Sequence, residues 1–204
     1  MRVLVTGHHG YIGSVLVPIL QRARHEVHGL DSGLFSAHSL GPEPAAIPEM
    51  LIDVRDVQVP DLRGFDAIMH LAGISNDPLG DLNPDCTYEI NHQASVRLAR
   101  LAREAGVARF LFASSCSLYG AASEQEILDE SAPFRPVTPY AESKILVERD
   151  VSQLANESFS PTFLRCATAY GASPRLRADL VVNNLTGHAL LEGSVLLKSD
   201  GTPW

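Results

Sequence analysis

The chain has 204 residues, 45% apolar and 20% charged, which suits one well-packed domain and part of another in water. A formal net charge of −8 argues against a nucleic-acid backbone as partner; no apolar run approaches the roughly 18 residues of a membrane span, and no signal-peptide pattern precedes the first strand, so the cytoplasm is the expected location. Cys86, Cys116 and Cys166 are odd in number and widely spaced, which predicts neither a disulfide framework nor a zinc site.

From Val3 an apolar β-forming run breaks at Gly7 and resumes at helical spacing from Tyr11 to Leu20. This reads as strand, glycine turn, helix. Glycines at 7, 10 and 13 suit a tight reversal, close approach of a phosphate, and packing of helix on strand. The helix N-terminus then faces an anion, and a dinucleotide is the expected guest. The spacing is Gly-x-x-Gly-x-x-Gly, so the commoner Gly-x-Gly-x-x-Gly fingerprint is met only in its logic. His8 and His9 read as solvent-facing turn residues, with no carboxylate or cysteine near them at metal-ligand spacing. Glu26 to Leu30 is a second strand, ending in Asp31, where such folds place the carboxylate that binds the adenine-side ribose. A 2′-phosphate would be repelled there, so NAD is favoured over NADP.

Residues 32 to 48, with Gly33, Gly41, Pro42, Pro44 and Pro48, read as an irregular loop. Strands are expected at Met50 to Asp53, Phe65 to Leu71, Arg109 to Ala113 and Thr162 to Arg165. Helices are expected from Pro84 to Gly106, with Ala94, Leu98, Leu101 and Ala102 on one side, and from about Pro139 to Asn156. This alternation predicts an α/β fold: a Rossmann-type, doubly wound parallel sheet. Right-handed connections bring the glycine turn, Asp31, Asp53, Gly73, Ser115 and residues 166 to 171 to one sheet edge, where such folds bind ligands.

Tyr140 and Lys144 lie one helical turn apart on one face of the later helix. A free phenol, with a pKa near ~10, is a poor base at neutral pH; a neighbouring ammonium favours the phenolate. Tyr140 can then take a proton from a hydroxyl as hydride leaves the same carbon, with Lys144 also holding the nicotinamide ribose. Ser115, at a strand end, can bond the substrate oxygen.

These motifs, in this order, resemble the extended short-chain dehydrogenase/reductases, and within them the NAD-dependent nucleotide-sugar epimerases and dehydratases such as UDP-glucose 4-epimerase. The resemblance runs the length of the chain. It rests on Thr-Gly-His-His-Gly-Tyr-Ile-Gly-Ser at 6 to 14, Asp31, Asp53-Val54-Arg55, His70-Leu71-Ala72-Gly73, Asn91, Ser114 to Gly120, Pro139 to Lys144, Leu164-Arg165, Tyr170-Gly171 and Asn183-Asn184-Leu185. It implies that Gly7, Gly10, Tyr11, Ile12 and Gly13 hold the pyrophosphate and Asp31 the ribose. Asp53 and Val54 would lie by the adenine, and Leu71, Ala72, Gly73 and Asn91 along the middle of the cofactor. For Asn91 an ordinary polar helix residue is an equal alternative. Ser115, Tyr140 and Lys144 would be the catalytic trio, and Ser115, Ser117, Thr168, Arg175 and Asn184 the substrate contacts. A homodimer pairing residues 84 to 106 and 139 to 156 is expected.

Two departures qualify the resemblance. Sugar dehydratases carry an Asp-Glu pair directly after the catalytic Ser or Thr, whereas this chain has Cys116-Ser117, neither a competent acid for removing a hydroxyl. Epimerisation or keto-reduction is therefore expected over dehydration, and Cys116 reads as a small buried residue. Family members also continue past 300 residues. The expectation is thus an NAD-binding domain over 1 to 172 and, over 173 to 204, the beginning of a small C-terminal substrate-binding region, truncated at Trp204. Arg175 and Arg177 there can grip a diphosphate or sit as solvated loop residues. The main reading is an NAD-dependent nucleotide-sugar epimerase; the alternatives are an NAD(P)H-dependent ketoreductase of a deoxysugar or other small carbonyl, and a non-catalytic dinucleotide sensor.

Overall fold

In a computed structural model, residues 1–34, 39–41, 46–75, 77–120 and 127–197 are described. Pro42 and Pro44 of the expected loop, and residues 201–204, lie outside them. Strand β1 (Arg2–Thr6) is buried from Val3 onward, as a continuous apolar run requires when both faces of a sheet are covered. It pairs in parallel with β2 (Glu26–Asp31) on one side and β4 (Ala67–His70) on the other. Beyond them lie β3 (Glu49–Leu51), β5 (Arg109–Ser115) and β6 (Ser160–Cys166), giving one parallel sheet in the order β3-β2-β1-β4-β5-β6. This is the doubly wound Rossmann-type order, and its switch point falls between β1 and β4.

Period-2 geometry sends alternate residues of β1 to opposite layers. Leu4 joins Leu30, Ile68, Phe110 and Phe112 in the larger core, under α5 (Ala94–Glu104) and α6 (Pro139–Ser152), which contribute Leu98, Ala102, Val147 and Val151. Val3 and Val5 join Val27 and Ala67 on the other face, covered by Val17 of α1 (Gly13–Arg22). Helix α6 starts where the sequence stops it from starting earlier: Thr138 accepts a hydrogen bond from the Ala141 amide at 3.2 Å, and Pro139 occupies the first turn.

The expected helix over 84 to 106 is three pieces. A short α4 (Pro84–Thr87) leads into a π-helical turn (Tyr88–Gln93) and then α5. The wide turn carries Asn91 towards the loop after β4, and such turns are enriched at functional sites. Four elements were not expected: α2 (Val59–Leu62), α3 (Asp77–Leu82), a 3-10 turn (Cys116–Tyr119) and α7 (Val181–Glu192). No residue of α7 is buried, so its sequence carries no apolar stripe to read. None of the helices in the described residues is long and apolar enough to cross a membrane.

Candidate active site

The glycine turn sits at the C-terminal edge of β1. Gly7 has a φ of +71°, a conformation side chains disfavour, and a Cβ there would stand 2.8 Å from the Ala72 amide nitrogen. A Cβ on Gly13 would collide with the Gly7 carbonyl and the His8 backbone, so the first turn of α1 lies directly on the loop before it. No side chain caps α1. The start of the helix, with its positive dipole end, is therefore open to an anion, and Gly10, Tyr11 and Ile12 lead into it. The cradle fits a dinucleotide pyrophosphate.

At the neighbouring strand, Asp31 accepts the His9 amide at 3.1 Å and the Gly33 amide at 2.9 Å. The carboxylate is thus fixed at the end of β2. Asp53 pairs with Arg55 at 2.9 Å, and Arg55 reaches Glu89, so both charges are engaged within the protein. The Arg55 hydrogen bonds hold the Asp53 carboxyl below its ordinary range, against a smaller raising effect of burial. Val54 is buried in the larger core.

His8 and His9 correct the sequence expectation. His8 is buried, its ring filling the space a side chain on Gly29 would take, and Glu49 of β3 meets His8 Nε2 at 2.8 Å and His9 Nε2 at 2.7 Å. The carboxylate is remote in sequence and is delivered by the β2-β3 pairing.

Leu71, Ala72 and Gly73 run on from β4, held by Thr6: its carbonyl accepts the Leu71 amide and its hydroxyl the Ala72 amide. Asn91 uses both ends of its amide on this loop, accepting from the Ile74 N–H at 2.8 Å and donating to the Ile74 carbonyl at 2.9 Å. Its side chain therefore sets the path of 71–74, and a Cβ on Gly73 would meet its Oδ1. Behind the loop His70 is fully buried, with Thr6 Oγ1 at 2.6 Å from Nδ1 and Ser95 Oγ at 2.8 Å from Nε2. Burial, and secondarily the charge of Lys144, push its pKa down to about 3, so the ring is neutral. Sequence reasoning quoted His70 only as part of a motif.

The chemistry-bearing side chains lie past β5. Ser115 ends the strand and caps the 3-10 turn, accepting the Ser117 amide at 3.1 Å, while the two hydroxyls are 3.0 Å apart. Leu118 and Tyr119 turn inward from this cap, which leaves Cys116 outward: it is exposed, not buried as expected. Lys144, only 6% exposed, donates to the Ala113 carbonyl at 2.8 Å and lies 4.4 Å from the Phe112 ring centre and 5.4 Å from that of Tyr140. Burial pushes its ammonium down to about 8, against the raising pull of Cys166 and Glu148. One turn further along α6, buried Glu148 accepts from Ser114 Oγ at 2.5 Å and pairs with Arg165 at 2.7 Å. This support was missed; its signal was the four-residue spacing from Lys144 to Glu148.

The substrate candidates are less gathered. Thr168 and Asn184 are exposed, and Asn184 donates to the Ala178 carbonyl. Arg175 is buried, its amide on Ser173 Oγ, while Arg177 pairs with Asp179 and donates to Ser75. Tyr11 ties this segment to the glycine turn: its hydroxyl donates to the Gly171 carbonyl at 2.8 Å and accepts from Asn183 Nδ2 at 3.1 Å.

A parallel doubly wound sheet with a glycine turn at its switch point, and Ser115, Tyr140 and Lys144 at the same edge, defines the class: a Rossmann-type fold of the short-chain dehydrogenase/reductase kind. Within it the chain belongs to the NAD dependent epimerase/dehydratase family, whose model matches residues 3–204. A UDP-glucose 4-epimerase of Streptomyces lividans is 33% identical over 159 residues, covering 74% of this chain and 46% of that one. A UDP-glucose 4-epimerase of Thermus thermophilus, solved in complex with NAD, superposes with a TM-score of 0.80 at 30% identity, over 95% of this chain and 63% of that one. An NAD-dependent NDP-hexosamine 5,6-dehydratase, TunA, superposes with a TM-score of 0.85 at 26% identity, over 98% and 65%. The chain spans about half to two-thirds of the length of the curated relatives it matches.

Proposed function

We propose that this chain is the cofactor-binding part of an NAD-dependent nucleotide-sugar epimerase, with residues 1 to 172 holding NAD and 173 to 204 beginning the substrate-binding region. The observation that carries the reading is the Lys144 ammonium, buried at the strand edge and held beside the Tyr140 ring. A positive charge in the protein interior favours the phenolate of Tyr140 far more than one in water would. Tyr140 takes the proton of the sugar hydroxyl, and Ser115, its hydroxyl oriented by Ser117, hydrogen-bonds the same oxygen. Bound NAD would supply the hydride acceptor and donor. Gly7, Gly10, Tyr11, Ile12 and Gly13 would hold its pyrophosphate, Asp31 its adenine-side ribose, and Asp53, Val54, Leu71, Ala72 and Gly73 the adenine and central portions. Asn91 shapes the loop that does so. Lys144 also reaches the nicotinamide ribose in this reading. Ser117, Thr168, Arg175 and Asn184 would contact the nucleotide sugar in this reading.

Cys116-Ser117 in place of an acid pair favours epimerisation over dehydration. The relatives' names support UDP-glucose as the first substrate to try. A cytoplasmic homodimer pairing α5 and α6 completes the reading. The test is Tyr140→Phe: turnover of UDP-glucose should fall by at least about a hundredfold, with NAD affinity kept within severalfold. NAD that stays bound through purification and resists exchange against labelled NAD supports the epimerase. Fast exchange with net keto-reduction would replace it by a ketoreductase, and unchanged turnover in Tyr140→Phe would overturn the assignment of the base.

A further inference from the structure

Two imidazoles and a carboxylate converge on one point beside the glycine turn. His8 Nε2, His9 Nε2 and Glu49 Oε2 all lie within 4.8 Å of one another. The two ring centres are 4.0 Å apart, and both Nε2 atoms face the same Glu49 oxygen, at 2.8 and 2.7 Å. The arrangement is built by the fold: the ring of His8 needs the absence of a side chain at Gly29, and Glu49 is paired in register with that same glycine. Burial of His8 to 6% exposure makes the geometry a fixed one.

The hydrogen bonds alone leave the cluster incompletely satisfied. His8 Nδ1 is buried with no partner. With the proton on Nδ1, Nε2 presents a lone pair to the Glu49 oxygen; with it on Nε2, the buried Nδ1 lone pair goes unused. A cation between the three electron-pair donors removes the first conflict, and the His8 proton then sits on Nδ1, where the structure gives it no partner.

We propose that His8, His9 and Glu49 form a site for a divalent transition metal, with Zn2+ the best-matched ion, bridging the glycine turn to β3. Two nitrogens and one carboxylate oxygen are a recurrent zinc ligand set with a fourth position left for water. Metal–ligand distances of about 2.0–2.2 Å put tetrahedral ligand atoms about 3.3 Å apart. The present 2.7 and 2.8 Å contacts therefore open by about half an ångström on binding. Glu49, with 34% of its side chain exposed, and His9, with 24%, have the room to move and leave the outer face to solvent. The site is separate from Ser115, Tyr140 and Lys144, and its role is to lock the backbone whose His9 amide holds Asp31.

The test is titration of the metal-free chain with Zn2+ by calorimetry and with Co2+ by absorption spectroscopy. The expected result is one ion per chain with a four- or five-coordinate Co2+ spectrum. His9→Ala and Glu49→Gln should each weaken binding by at least about tenfold, the least that loss of even an outer-shell partner costs. Cys86→Ser, Cys116→Ser, Cys166→Ser and His188→Ala should leave it unchanged. On the unaltered chain, Zn2+ should shift the Nε2 resonances of two histidines in imidazole nitrogen spectra, which requires no variant to fold. Absence of saturable binding, retention of it in both His9→Ala and Glu49→Gln, or a spectrum in which no histidine responds would overturn the site.

Discussion

Lys144 illustrates how a single residue is placed for chemistry at the expense of stability. Its folded pKa of about 8 lies below the ordinary 10.5, so the native state holds this proton less firmly than the unfolded chain does. The penalty is complete below pH 8 and is relieved as the pH rises from 8 towards 10.5. Replacing it by an apolar side chain of similar length removes the cost. Lys144→Met is expected to stabilise the chain at pH 7 by roughly 2–3 kcal/mol, to show a smaller gain at pH 10, and to abolish turnover. Urea denaturation at the two pH values checks this; a variant destabilised equally at both would show that the Ala113 hydrogen bond outweighs the buried charge. Cys166 and then Glu148, one turn away on α6, pull the other way and offset part of that penalty.

At the level of elements, the glycine turn is the least replaceable piece. A methyl group on Gly13 has only backbone to push against, so β1 and α1 would have to part. Gly13→Ala is expected to cost about 1–3 kcal/mol and to weaken NAD binding by at least tenfold. Denaturation and a cofactor fluorescence titration measure the two; a variant with normal NAD affinity would mean that the turn opens without moving the phosphate cradle. This turn was legible in the sequence because strand periodicity, glycine spacing and helix periodicity are all local signals. So were all six strands, to within a few residues at their ends. The π turn was not legible, since one extra residue in a helical pattern shifts a face without breaking it. His8, His9 and Glu49 were not either: 41 positions separate His8 from Glu49, and only the register Gly29↔Glu49 unites them. Lys144 and Tyr140 could be read because a single helix sets their distance; the burial of Lys144, and its contact with Ala113, depends on β5 arriving from elsewhere.

For the molecule as a whole, the apolar surface is unevenly covered. Strand β1 is covered on both faces, yet alternate residues of β6, Leu164 among them, are exposed, and α7 has Val181, Val182, Leu190 and Leu191 all exposed. Surface apolar residues that touch nothing contribute little to stability and much to association. Leu190→Glu combined with Leu191→Glu is expected to leave the unfolding midpoint within about 0.5 kcal/mol of the parent, while reducing concentration-dependent self-association in sedimentation. A large loss of stability would show that these leucines are covered in solution. The sheet order has a further consequence for synthesis. Strand β1, made before β2 and β4, pairs at Val3 with both Val27 and Ala67. One of its edges must therefore stay open on the ribosome until β4 emerges. The phosphate cradle, encoded well before β4, becomes a finished surface only after that delay, and a pause or nascent-chain chaperone acting before residue 70 would meet it half-built.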